Sequence, residues 1–167
     1  PRFDQAIANG EYQSNQVLQW AASLDQGSEH PLAAAIVQAA LAQGLKLDQP
    51  EQFDSITGMG VTGLINGQTL FLGNATLMQQ QQIDISILEQ RAEALRQQSA
   101  SVMYLSVAGQ LAGILSVHDP IKSTTVAALD ALKQANITVI MATGDGLATA
   151  KSVAAQLGIQ EFYGEVR

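Results

Sequence analysis

The chain has no cysteine, and it has only 8 lysine and arginine residues against 15 aspartates and glutamates. Without cysteine it can form neither a disulfide framework nor a thiolate metal site, which suits a cytosolic setting. The formal net charge of −7 argues against DNA or RNA as the main partner, because nucleic-acid binding needs a basic surface. A small phosphorylated ligand is not excluded, since backbone amides and one or two cations can hold a phosphate group.

Long apolar runs are also missing. The longest, over residues 32–37, ends at Gln38 and is far shorter than a membrane span. The first residues, Pro1 to Asp4, show no signal-peptide pattern. We therefore expect these residues to be soluble, whatever longer protein they belong to. The length of 167 residues is enough for one ordinary domain, or for one domain and part of another.

The most informative stretch is Ser28-Glu29-His30-Pro31-Leu32, which predicts the start of a helix that ends near Gln43. Pro31 suits the first helical turn, where a missing backbone donor costs nothing. Either Ser28 or His30 could be the N-cap, and the pattern does not decide between them. The stretch sets a carboxylate and an imidazole at a helix N-terminus, which favours an anionic ligand. The simpler interpretation is a cap and a turn.

Helices and antiparallel strands are predicted on both sides of this stretch. A helix capped by Ser14 or Asn15 comes before it. Two hairpins come after it, the first about Asn66-Gly67 and the second about Ala108-Gly109-Gln110. To about residue 115 this pattern predicts helices beside a mostly antiparallel sheet, an α+β module.

Two features inside this module have more than one interpretation. Ser86 and Glu89 have the spacing of a capping box, which predicts another helix start. Gly58, Gly60 and Gly73 lie in or beside the predicted strands. They are either turn residues or places where a ligand lies against bare backbone.

The pattern changes near residues 116–119, where we place a domain boundary. Pro120 predicts a helix start, and residues 137–141 predict a short buried strand of a parallel sheet. A further helix ends at Gly158. Thr143-Gly144-Asp145 lies at the carboxyl end of the predicted strand, where doubly wound sheets bind ligands. The loop is either a phosphate-binding turn or a capped helix start, and Asp119 is either a helix start or a carboxylate at a hinge.

Taken in order, five motifs resemble the cytosolic ATP-binding region of heavy-metal-transporting P-type ATPases, and the copper-exporting branch most of all. The motifs are Ser28-Glu29-His30-Pro31-Leu32, Gly58-Met59-Gly60-Val61, Gly73-Asn74, Asp119-Pro120-Ile121-Lys122 and Met141-Ala142-Thr143-Gly144-Asp145. The match covers nearly the whole chain. It implies an α/β (α+β) fold in which residues 1–116 form the nucleotide-binding domain. Residues 117–167 would form part of a phosphorylation domain, a haloacid-dehalogenase-like Rossmann-type segment.

The resemblance also implies a nucleotide site. Its residues in this chain are Asp25, Glu29, His30, Gly58, Gly60, Gly73 and Asn74. His30 would position the adenine, and Glu29 would brace His30. Asp25 stands where the family usually has glutamate, so its side chain is one methylene shorter.

In the second part, the resemblance makes Thr143, Gly144 and Asp145 the loop that contacts the transferred phosphoryl group. Asp119 and Lys122 resemble the residues of the hinge. Gly146 replaces an asparagine that the family has after this loop. The family's DKTGT segment, which holds the phosphorylated aspartate, and its magnesium-binding GDGxND segment are not among these residues. We therefore predict that these residues bind ATP without hydrolysing it at the rate of a pump, with no metal site of their own. Mg²⁺ is then a cofactor of the full-length protein only.

The implied parent protein is a copper-exporting pump of a bacterial inner membrane, of which this chain is a cytoplasmic domain. Its partners would be ATP and the remaining phosphorylation, actuator and membrane domains. Zinc- and cadmium-transporting pumps are the alternatives for the metal. A stand-alone adenine-nucleotide sensor is the alternative for the function, ahead of a soluble phosphatase. A partial second domain has unpaired strand edges, so we also expect it to be partly disordered, domain-swapped or oligomeric.

Overall fold

The computed structural model describes residues 1–166, and Arg167, the last residue of the second predicted domain, lies outside the described residues. The described residues form helices and strands that are interspersed along the chain. They are β1 (Arg2–Ala8), α1 (Ser14–Asp25), α2 (Pro31–Ala42), β2 (Glu51–Ile56), β3 (Gly60–Ile65), β4 (Gln68–Gly73), α3 (Ala75–Gln80), α4 (Ser86–Gln97), β5 (Ala100–Val107), β6 (Gln110–His118), α5 (Ser123–Gln134), β7 (Ile140–Ala142), α6 (Leu147–Leu157) and β8 (Glu161–Tyr163).

The first six strands form one antiparallel sheet in the order β1-β6-β5-β4-β3-β2. Both predicted hairpins are confirmed. In the β3–β4 turn Asn66 and Gly67 both have positive φ (51° and 75°), which is the backbone that an Asn-Gly hairpin turn requires. The predicted antiparallel sheet flanked by helices is therefore the observed fold.

Helices cover both faces of this sheet. Alternate residues along β5 belong to different cores: Leu105 and Val107 pack with α1 and α2, whereas Tyr104 packs with α3 and α4. Period-2 alternation of this kind is what a strand with two buried faces requires. The sheet is thus the middle layer of three at β5 and β6, whereas no residue of the edge strand β2 is fully buried.

The predicted capping box at the start of α4 is wrong. Ile85 is the N-cap without a side-chain bond, and the amide of Ser86 donates to Asp84 instead (2.9 Å). Glu89 is engaged elsewhere, because it accepts a hydrogen bond from the hydroxyl of Tyr104 (2.6 Å) and pairs with Arg96 (3.1 Å). The cap predicted for α1 is also wrong, since Gln13 precedes the helix and makes no side-chain cap bond.

The second part of the chain is less buried than the first. The helix expected at Pro120 begins at Ser123, and the strand expected over residues 137–141 is the three-residue β7. β7 pairs in parallel with β8 alone, and Ile140 is 52% exposed. The strand is shorter and more exposed than predicted because, within residues 1–166, it has a neighbour on one side only and α5 buries no side chain against it.

Side-chain hydrogen bonds join α6 of the second part to the sheet module. The Ser99 hydroxyl lies 2.5 Å from that of Ser152 on α6 and accepts a hydrogen bond from Gln156 (3.0 Å). The chain passes from the sheet module to the second part at the end of β6, where His118 is paired with Arg2 on β1. The chain therefore enters the sheet and leaves it at adjacent positions. No helix within residues 1–166 is long and apolar enough to span a bilayer.

Candidate functional site

A cavity of about 390 Å³ opens where α1 ends, α2 begins and β2 turns into β3. This volume is in the range of small-molecule sites, roughly 300–1,000 Å³. Its walls are mostly apolar, with polar groups at a few points. The apolar side chains are Leu32, Ala33, Ile56, Met59, Val61, Leu72, Val102 and Met103. An apolar slot with few polar groups suits a flat, partly apolar ligand such as a nucleobase.

Most of the residues predicted for the nucleotide site lie at this cavity. Asp25, His30, Gly58, Gly60 and Asn74 line it, together with the hydroxyl-bearing Ser28, Ser55 and Ser101. Glu29 and Gly73 do not line it. The structure thus brings together residues from α1, α2, the β2–β3 turn and the end of β4 that lie up to 49 positions apart, from 25 to 74.

Asp25 is the unusual group of this cavity. It is 5% exposed, and its Oδ2 has no hydrogen-bond partner in the structure. Burial raises the pKa of its carboxyl to about 7, because the apolar surroundings disfavour the charged form. Buried polar atoms are nearly always hydrogen-bonded, so this oxygen is available to a donor on a ligand or on a water molecule in the cavity.

His30 is the N-cap of α2, which decides between the two predicted caps. Its Nδ1 accepts a hydrogen bond from the amide of Leu32 (3.2 Å), and its own amide donates to the hydroxyl of Ser28 (3.3 Å). Because Nδ1 is the acceptor, the proton of the neutral ring lies on Nε2. The exposed imidazole can therefore offer a donor, or a flat face, to a ligand in the cavity.

Glu29 does not brace His30 as expected. It is exposed, and the structure records no hydrogen bond or ion pair between its carboxylate and the imidazole. The bonds that hold His30 come from Leu32 and Ser28 instead. A helix cap satisfies the ring nitrogen from the backbone, so no acidic partner is required.

Gly60 and Gly73 bring two strands unusually close beside the cavity. They are paired across β3 and β4, and a Cβ on Gly60 would overlap the carbonyl oxygen of Leu72. A Cβ on Gly73 would overlap the carbonyl oxygen of Met59. Gly73 thus contributes to the cavity through the packing of the backbone behind it rather than through direct contact.

The second group of predicted site residues lies elsewhere. The hydroxyl of Thr143 donates to the Asp145 carboxylate (3.0 Å) and accepts from the Asp145 amide (3.1 Å). The amide of Thr143 also donates to the carbonyl of Tyr163 (3.0 Å), which ties the loop to β8. Neither Thr143, Gly144 nor Asp145 lines the cavity. The structure therefore does not bring the two groups of site residues together.

The residues predicted for the hinge belong to neither group. Asp119 lies 3.5 Å from the amino group of Pro1, and Lys122 precedes α5 as its N-cap, without a side-chain cap bond. Across the described part of the chain, no three His, Cys, Asp or Glu side chains lie close enough together to hold a metal ion.

Sequence reasoning missed the floor of the cavity. Val102 and Met103 on β5 and Ile56 on β2 line it, yet none belongs to a recognisable motif. β5 pairs beside β4 through contacts between distant parts of the chain. Val102 and Met103 are neighbours in β5 and pack against different cores, so the pattern of apolar residues does not group them with Ile56 or indicate a ligand.

Residues 1–167 match a family of hydrolases described as haloacid dehalogenase-like hydrolases. Because this match covers the whole chain, the chain belongs to that family.

Its relatives include P-type ATPases. The copper-transporting P-type ATPase of Rhizobium leguminosarum bv. viciae is 41% identical over 166 residues, which are 99% of this chain and 20% of the relative. The copper-exporting P-type ATPase of Legionella pneumophila is 42% identical over 160 residues, which are 96% and 22% of the two chains. The resemblance to this group is confirmed, and the chain spans about a fifth of the length of these relatives.

Solved structures show the same fold. A zinc-transporting PIB-type ATPase in its E2.Pi state has a TM-score of 0.76 at 22% identity, covering 99% of this chain and 26% of that one. The N-domain of HMA8, a copper-transporting P-type ATPase, has a TM-score of 0.61 at 23% identity, covering 70% of this chain and 99% of that one. At these identities the likeness concerns the fold alone.

Proposed function

We propose that this chain is the ATP-binding cytosolic portion of a copper-exporting P-type ATPase, and that the adenine of ATP occupies the cavity. The observation that carries this proposal is the buried, unpartnered Oδ2 of Asp25 in a cavity also lined by His30. The exocyclic amine of adenine is a donor of the kind that this oxygen lacks.

Four of the predicted nucleotide residues then have a direct physical role. The apolar walls contact the faces of the base, and Asp25 accepts a hydrogen bond from the amine of the base. His30 either donates a hydrogen bond from Nε2 to the base or stacks its imidazole on the base. Gly58 and Gly60 let the base lie against bare backbone. Among residues 1–166 no lysine or arginine lines the cavity, so the phosphates would extend from its open end towards other groups.

The remaining assignments follow from the same proposal. Residues 1–116 are the nucleotide-binding domain and residues 117–167 are part of the phosphorylation domain. The coverage of 70% of this chain by an isolated N-domain supports that division. Asp119 and Lys122 belong to the hinge. Thr143, Gly144 and Asp145 contact the transferred phosphoryl group once their present internal hydrogen bonds are exchanged.

Phosphoryl transfer itself belongs to the parent pump. It needs an acceptor and Mg²⁺, which neutralises the charge that develops on the phosphoryl group. We place both in the rest of the parent protein, with its actuator and membrane domains as further partners. The parent would export copper across a bacterial inner membrane, with this chain on the cytoplasmic side.

Calorimetric titration of ATP without Mg²⁺ tests the proposal, using His30→Asn as the main variant. Asparagine is a strong N-cap, so it keeps α2 intact while it removes the imidazole. We expect the native chain to bind in the micromolar-to-millimolar range and His30→Asn to bind at least about tenfold more weakly. His118→Asn, which makes the same change outside the cavity, is the control. Equal binding by the native chain and His30→Asn would place the nucleotide elsewhere.

A further inference from the structure

Asn74 makes three hydrogen bonds that join separate elements at the wall of the cavity. Its side-chain Nδ2 donates to the carbonyl of Gly58 (2.9 Å), and its Oδ1 accepts from the amide of Leu77 (3.0 Å). Its backbone amide donates to the carbonyl of Met59 (2.9 Å). One residue thus ties the β2–β3 turn to the N-terminus of α3.

The turn held in this way forms part of the cavity wall. Gly58, Met59 and Gly60 all line the cavity, and Gly58 has a left-handed backbone with φ of +72°. Within the turn the amide of Met59 donates to the carbonyl of Ile56 (2.9 Å), and Ile56 is paired with Gly60 at the end of the β2–β3 ladder. Glycine is the most mobile residue of a backbone, so contacts from outside the turn help to keep Gly58 in one conformation.

The other end of this connection is firmly anchored. Asn74 is the N-cap of α3, and α3 buries Leu77 and Met78 completely in the core on that face of the sheet. Gly60 and Gly73 also bring the same two chain segments into close contact. This contact is possible only because neither residue has a Cβ, which would overlap the opposite backbone. The turn is therefore fastened to the core at two adjacent points.

We infer that Asn74 is a positioning residue of the proposed ATP site, which acts on the nucleotide through the Gly58-Met59-Gly60 turn. Its amide is the only side-chain group of the described residues that hydrogen-bonds this turn. The inference rests on the proposed function, because it concerns the same cavity. The resemblance to P-type pumps placed Asn74 among the residues of the nucleotide site, and the inference says how it acts there.

The test compares Asn74→Asp and Asn74→Ser with the native chain by amide hydrogen exchange without nucleotide and by ATP titration. Both variants keep an acceptor for the Leu77 amide, so α3 stays capped, but neither retains the donor that reaches Gly58. We expect exchange at the Met59 amide to rise and ATP affinity to fall, each about tenfold, the size of one lost hydrogen bond. Exchange at Leu77 should stay unchanged.

Asn66→Asp is the matched control, because it makes the same chemical change at the opposite end of the β3–β4 hairpin. It should alter neither measurement at the cavity. Weaker ATP binding with unchanged Met59 exchange would mean that Asn74 contacts the nucleotide directly, which overturns the inference. Faster exchange with native affinity would overturn it as well. If the native chain binds no ATP, the proposed function fails, whereas the exchange data still decide whether Asn74 holds the turn.

Discussion

Asp25 is the last residue of α1 and His30 is the cap of α2, and both line the same cavity. Only the four residues of a tight turn separate them, and Phe53 packs directly on Gly27 within that turn. The two helix ends are thereby held at a fixed spacing. The carboxyl group and the imidazole lie on the two sides of one turn. They can therefore form hydrogen bonds with two edges of the same nucleobase.

The first prediction concerns the pH dependence of ATP affinity. Burial raises the pKa of Asp25 to about 7, and in the proposed complex the amine of adenine would donate to the ionised carboxylate. If only the ionised form binds, apparent affinity rises about tenfold from pH 6 to pH 8, in proportion to the ionised fraction. Titrations across this range should show the rise in the native chain. In Asp25→Asn the rise should be reduced to the part due to other groups, and an identical profile would contradict the role of Asp25.

The second prediction concerns stability without nucleotide. The pKa of Asp25 is higher in the folded chain than the ordinary value of 3.8, so the unfolded state releases its proton first as pH rises. The contribution of the Asp25 carboxyl to the free energy of unfolding is fully present below about pH 4 and is lost as pH rises towards 7. Asp25→Asn should therefore become more stable relative to the native chain over that window. The expected gain is on the order of 4 kcal/mol by denaturant unfolding. If the difference in unfolding free energy between Asp25→Asn and the native chain did not change with pH, the Asp25 carboxyl would not be desolvated.

The third prediction separates two kinds of glycine. In Gly60→Ala or Gly73→Ala the new Cβ would overlap a backbone carbonyl oxygen, so the strands must separate. Each change should cost more than about 3 kcal/mol of unfolding free energy and weaken ATP binding. Gly67→Ala serves as the comparison, because its Cβ meets open space and only its φ of +75° is unfavourable. It should cost about 1–2 kcal/mol and leave ATP affinity unchanged.

The fourth prediction concerns the buried Tyr104. Its hydroxyl donates to Glu89 (2.6 Å) and accepts from Arg96 (2.6 Å), and its surroundings raise the pKa of the phenol to about 12. Tyr104→Phe should cost about 1–3 kcal/mol in thermal or denaturant unfolding, since two charged partners lose a hydrogen bond each. Tyr12→Phe, at a tyrosine whose hydroxyl makes no recorded hydrogen bond, should be close to neutral. Equal losses of unfolding free energy in Tyr104→Phe and Tyr12→Phe would show that the hydrogen bonds of Tyr104 to Glu89 and Arg96 do not contribute to stability.

Local signals predicted the sheet module well because they concern neighbouring residues. The Asn66-Gly67 turn and the Pro31 helix start depend on backbone preferences that a few residues determine. The Ser86–Glu89 pattern failed because Glu89 binds Tyr104, a strand residue 15 positions away. α3 was missed because its six residues are too few to show a helical period.

The site was predicted in the same uneven way. His30 and Asp25 were identifiable from motifs, whereas the unpaired Oδ2 of Asp25 depends on its burial and could not be predicted. The role of Asn74 as a brace for Gly58 required the register of β3 and β4. β7 was predicted too long because strand length depends on neighbouring strands as well as on apolar sequence.

The pairing of Arg2 with His118 has a mechanical consequence. The sheet module is joined to the second part through β6, and β1 lies beside that exit as its partner in the ladder. His118 is also paired with Ala100 of β5, so three backbones lie side by side at this point, and the Pro1–Asp119 ion pair adds to their contact. The end of β6 is therefore held on both sides as far as His118. Any change in the angle between the sheet module and the second part would fall on residues 119–122, which belong to neither a strand nor a helix.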